Sequence, residues 1–129
     1  MIVELNTLSL SNNDKQINSS QMKETFGGYI RDLRKSKDYT LTQLAAKLNM
    51  DSANLSKIET GKREFDEKRL ELLANEFGLD LNEVKDEYFS ELVAKKLYSN
   101  QCSDRVFQLA EEKIKYLKLK NTKQAELKL

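Results

Sequence analysis

The chain has 129 residues, with 22 Lys and Arg, 21 Asp and Glu, no proline, four glycines, one cysteine and no histidine. These totals exclude Cys/His zinc sites, His-based triads and general bases, and any intrachain disulfide. Few breakers and many helix formers predict an all-α protein, one compact domain with an appendage. Net charge is +1, but residues 22–65 carry +3, residues 66–101 carry −4 and residues 102–129 carry +3. Such asymmetry either steers a polyanion to one face or reflects ordinary solvated helix surfaces.

No apolar run approaches the roughly 20 residues of a membrane span. The N-terminus lacks the basic start and apolar core of a signal peptide. A lone Cys102 fits a reducing compartment. The expectation is a cytoplasmic protein with no membrane contact.

Residues 1–21 are rich in Asn and Ser and poor in charge, and they read as a flexible N-terminal arm. The domain is expected over residues 22–98. Phe26, Ile30 and Leu33 fall at i, i+4 and i+7, one face of a first helix running to about Lys37. Thr40 and Gln43 form a T-x-x-Q capping box that opens a second helix, "LTQLAAKL". Asn49, in the turn "NMD", suits the left-handed conformation that ends a helix, and Asp51 caps the next. That third helix, "SANLSKIE", buries only Ala53, Leu55 and Ile58 at most, and Gly61 closes it.

A fourth helix is predicted over residues 66–77, ending at Gly78. Asp80 and Glu83 form a second capping box for a fifth helix reaching about Tyr98. A sixth spans about 104–120, with a tail that frays from Asn121. Residues 99–129 thus form a C-terminal helix and tail expected to dimerise; the fifth and sixth helices together have more apolar surface than a small domain needs and are expected to complete the dimer.

Two short helices joined by a three-residue turn inside a bundle make the arrangement of a helix-turn-helix. The run from Tyr29 to Asp80, with L-A-x-x-L, the turn, then L-S-K-I-E-x-G-x-R, resembles the regulators of the Cro and phage-repressor type, also named for the xenobiotic response element. The resemblance covers about two fifths of the chain. It implies a five-helix, lambda-repressor-like DNA-binding domain, here with an added C-terminal helix, whose third helix enters the major groove.

Carried onto this chain, the family's base-reading positions fall on Ser52, Ala53 and Lys57, with Asn54 and Ser56 nearby. The chemistry fits: Lys donates to guanine, Ser donates or accepts, Ala meets a thymine methyl, and Asn pairs with adenine. Thr60, Lys62 and Arg63 fall where the family contacts phosphate, and Thr40 and Thr42 stand at the positive end of the second helix. Many members have Gln directly after that cap; this chain has Leu41, which removes one expected side-chain grip. Arg34 and Glu59 match a pair that the family bridges and buries. Neither charge would sit inward unpaired, so the pair is assigned to structure.

The resemblance implies a homodimer on a double-stranded DNA operator, a repressor or autoregulator such as a restriction–modification controller. An operon-repressing antitoxin and a protein-bridging coactivator module remain alternatives. No cofactor, metal or small-molecule ligand is evident. An enzyme is not expected, because Glu111 and Glu112 point apart on a helix and no phosphate loop is present.

Overall fold

The computed structural model describes residues 25–128. The expected arm over residues 1–21 lies outside the described residues. Six helices are described: α1 Phe26–Ser36, α2 Leu41–Lys47, α3 Ser52–Glu59, α4 Leu70–Phe77, α5 Leu81–Ser99 and α6 Arg105–Lys128, with a single 3₁₀ turn at Glu67–Arg69 before α4. Every regular element among the described residues is helical, as the composition predicts.

Local chemistry sets most of the boundaries. The Thr25 hydroxyl caps α1 by accepting from the Gly28 N–H at 2.9 Å. At α2 the capping box is complete: Thr40 Oγ1 accepts from the Gln43 N–H at 3.1 Å, and Gln43 Oε1 accepts from the Thr40 N–H at 2.8 Å. Leu48 ends α2 and Asn49 turns left-handed at φ 59°. The Asn49 and Met50 N–H groups then donate to Ala46 and Ala45, the paired bonds of a Schellman ending. Asp51 caps α3 through the Asn54 N–H at 2.7 Å. The same Schellman ending closes α3, with Gly61 at φ 82° and Lys62 N–H donating to the Lys57 carbonyl at 2.8 Å.

Three boundaries depart from expectation. The fourth helix was expected from residue 66; Asp66 instead caps the 3₁₀ turn, and α4 proper starts at Leu70. At α5 the Asp80 carboxylate accepts from Asn82 N–H at 3.0 Å, so its bond falls one residue short of the expected box with Glu83. Helix α6 continues to Lys128 where fraying was expected from Asn121. Beyond Asn121 and Thr122 the tail is made of Lys, Gln, Ala, Glu and Leu with no breaker, and such residues prolong a helix already nucleated.

The described chain divides into two compact units, one through Glu91 and one from Leu92 onward, with the division inside α5. In the first unit Ile30, Leu44, Leu48, Leu55, Leu73 and Val84 are fully enclosed. Each such side chain contributes about 1.5–3 kcal/mol relative to exposure. Phe26 packs on Phe65 and edge-on to Tyr88, joining α1, the loop after α3 and α5. The Tyr88 hydroxyl donates to the Phe65 carbonyl at 2.9 Å, so this buried polar tip is satisfied, whereas the buried hydroxyl of Tyr29, whose ring also packs on Phe26, has no hydrogen-bond partner among the described residues.

In the second unit, α6 leaves its side chains exposed from Arg105 to Lys123, apart from half-buried Val106 and Leu109.

Candidate nucleic-acid interface

The site is α3 and what holds it. Leu55, Ile58 and Glu59 form its buried stripe, at i, i+3 and i+4. Ala53, Ser56, Lys57 and Thr60 lie at i, i+3, i+4 and i+7 of a different face, where Ala53, Lys57 and Thr60 are exposed and Ser56 half-buried. Ser52 and Asn54 are half-buried at its first turn. The helix therefore spends one narrow stripe on the core and leaves the rest outward.

Three contacts fix its pose. Arg34 Nε and Nη2 donate to the two Glu59 carboxylate oxygens at 2.8 and 3.0 Å, a bidentate pair joining α1 to the end of α3. Arg34 Nη1 donates to the Tyr39 carbonyl at 2.9 Å, which ties in the loop before α2. The side chains are only 14% and 4% exposed, so each charge depends on the other. The hydrogen bonds to Glu59 raise the Arg34 pKa further above its ordinary value, and the guanidinium stays charged at any working pH.

Two further contacts were not read from the sequence. A Cβ at Gly27 would lie 2.0 Å from the Ile58 carbonyl oxygen, so α3 approaches α1 at a point where only glycine fits. Arg69, read as a helix-4 residue, reaches back across the turn. Its Nε donates to the Leu48 carbonyl at 2.9 Å, its Nη2 to Asn49 at 3.2 Å, and its Nη1 to Asp66 at 3.2 Å. It caps the carbonyl end of α2 and braces the α2–α3 turn. Its only sequence signal is a cation set among helix-starting acids.

Of the expected contact residues, Lys57 and Lys62 are exposed cations, and Thr40 and Thr42 are exposed at the start of α2. The Thr40 hydroxyl accepts its capping bond through a lone pair, which leaves its proton for an outside acceptor. Thr60 is differently placed: its hydroxyl donates back to the Ser56 and Lys57 carbonyls at 3.0 and 3.2 Å. That proton is turned toward the helix. Arg63 and Asn54, expected to do separate jobs, are brought together. Arg63 Nη1 donates to Asn54 Oδ1 at 2.5 Å, while Asn54 Nδ2 faces Met50 Sδ at 3.8 Å. Both ends of the Asn54 amide are thus engaged, and bidentate pairing with adenine requires releasing Arg63.

Among the described residues, no group of His, Cys, Asp or Glu is placed to hold a metal ion. No described helix is long and apolar enough to cross a membrane.

A family model described as "Helix-turn-helix" matches residues 30–84, the span from α1 to the start of α5. Residues 30–84 belong to the helix-turn-helix family. The match supports a DNA-binding transcriptional regulator, and in this helix-turn-helix domain α2 and α3 are the two helices of the motif. Two solved structures, both of the clp gene regulator ClgR from Corynebacterium glutamicum, are similar to the chain. One is 27% identical, covers 52% of this chain and 87% of its own, and has a TM-score of 0.44. The other is 23% identical, with 67% and 90% covered and a TM-score of 0.45. A comparison with curated proteins found no match.

Proposed function

We propose that the protein is a sequence-specific regulator of the Cro and phage-repressor type, acting in the cytoplasm as a homodimer on a near-palindromic DNA operator. Its simplest role is repression or autoregulation, as in the controllers of restriction–modification operons. The observation that carries this reading is the outward face of α3, with Lys57 exposed on it and the cations Lys62 and Arg63 directly after it. A helix that only bridges proteins has no need of cations there.

In this reading Ser52, Ala53, Ser56 and Lys57 meet base edges, and Lys57 donates to guanine O6 and N7. Asn54 joins them when it lets go of Arg63. Lys62, Arg63, Thr40 and Thr42 hold phosphate and fix the register, with Thr60 contributing if its hydroxyl rotates outward. One α3 reads too few base pairs for useful specificity. Two copies on half-sites about 34 Å apart supply the rest.

Selection from random duplex DNA tests this. The expected result is a two-fold symmetric sequence motif that Lys57→Ala alters at one base position per half-site. Recovery of no enriched motif would overturn the reading.

A further inference from the structure

We infer that α6 is a self-complementary docking element, which pairs antiparallel with α6 of a second copy. This deepens the homodimer reading and rests on it. Of the large apolar side chains left exposed among the described residues, all but Phe89 lie beyond residue 91; Ile114, Leu117 and Leu119 are 52–58% exposed. A groove of about 360 Å³ runs between Val93 and Leu97 on α5 and Phe107, Glu111, Ile114 and Lys118 on α6. Most of a helix's stability in a protein comes from packing its apolar side chains, and those of α6 are left largely uncovered, so the groove calls for an occupant.

Charge along α6 selects a second copy and its direction. Residues 104–112 hold Asp104, Glu111 and Glu112 against one cation, Arg105, whereas residues 113–123 hold five lysines and no acid. A parallel copy would set the lysine half against its own equivalent. An antiparallel copy sets it against the acid-bearing half. The rim of the groove repeats the pattern at the scale of single residues. Glu111 and Lys118 both line it, seven residues apart, so they share one edge of the helix on either side of Ile114. Antiparallel helices bring like edges together. With the two-fold axis near Ile114, Glu111 meets Lys118 of the partner subunit, and the pair occurs twice. Within one copy Glu111 bridges to Lys115, at 3.8 Å with both side chains about 70% exposed, a weak contact that exchanges readily.

Cys102, the single cysteine and exposed, gives a direct test. Spin labels on Cys102 of full-length protein report the distance between the two copies. Nine helical residues separate Arg105, the start of α6, from the axis; at about 1.5 Å each and counted twice they set the two helix starts about 27 Å apart in the antiparallel pair, against about 10 Å in a parallel one, and the label on Cys102, three residues earlier, reports that difference. Light scattering and ultracentrifugation of Glu111→Lys, Lys118→Glu and the double exchange run alongside. Each single change should weaken dimerisation about tenfold. The double exchange should restore it, which excludes simple misfolding. A short label distance in a genuine dimer would overturn the antiparallel arrangement and leave the homodimer standing. A monomer at every concentration would overturn both. Neither result touches the reading of DNA by α3, which the same samples report through a titration of the selected operator against Lys57→Ala.

Discussion

At the scale of single residues, the inward charges and the outward charges make different demands. Glu59→Ala leaves the Arg34 guanidinium with one carbonyl and little water. Removing one member of an enclosed pair costs about 3–5 kcal/mol, and the slight exposure of Arg34 favours the lower end. A thermal melt should show that loss. Replacing Arg34 and Glu59 together with Met and Leu should recover much of it, since the penalty belongs to the orphaned charge. A Glu59→Ala protein that melts like the parent yet loses DNA would place Glu59 at the nucleic acid instead. On the outward face, Lys57→Ala should cost about 1–3 kcal/mol on the operator and relax one base position. Arg63→Ala should weaken all DNA alike and lower the salt slope by about 1 per protomer. Because Arg63 holds Asn54, the same change also frees the amide, so any altered preference at a neighbouring base in a selection experiment traces to Asn54.

At the scale of elements, the α2–α3 turn is stabilised by a residue from beyond the motif. Arg69→Ala removes three bonds, two of them to the carbonyls that end α2. The expected loss is about 1–2 kcal/mol, carried mainly by the part-buried bond to Leu48 because water can replace the two exposed ones, with amide exchange rising first at Asn49–Asp51. Gly27→Ala should be more damaging to α3 than to α1, because the added methyl meets backbone that has no rotamer to turn away. Chemical shifts of α3 amides would reveal the displacement. These two contacts also mark where the sequence stops being legible. Thr40, Gln43, Asn49, Asp51, Gly61 and Gly78 announce helix ends because each acts on neighbours within a few residues, and the 3.6-residue period places Ile30, Leu44 and Leu55 in the core. Arg69 and Gly27 act on partners 20 to 31 residues away, and nothing local records that. Arg63 and Asn54 were each legible as contact residues, but their mutual bond depends on how the loop after α3 folds back.

At the scale of the whole molecule, tyrosines set the alkaline limit. Burial and nearby Glu83 raise the Tyr29 pKa, a hydrogen bond to Glu76 raises that of Tyr39, and burial followed by Glu64 raises that of Tyr88. The folded chain holds these protons more tightly than the unfolded one, so their stabilisation is intact below about pH 10 and is lost as pH rises beyond it. Urea midpoints at rising pH should fall from that point, and Tyr88→Phe should flatten the fall while lowering stability at neutral pH, because Phe65 loses its donor. The division at Leu92 has a separate consequence. The first unit closes its core with its own residues, whereas α6 finds its cover on another molecule if it pairs as inferred. Ordering the one is then a one-body event and ordering the other a two-body event, and dilution acts on the second alone. Calorimetry at two concentrations should show one transition that stays and one that moves. A dilute copy would then possess a finished reading head with no twin beside it, and abundance itself would become the signal that arms the operator.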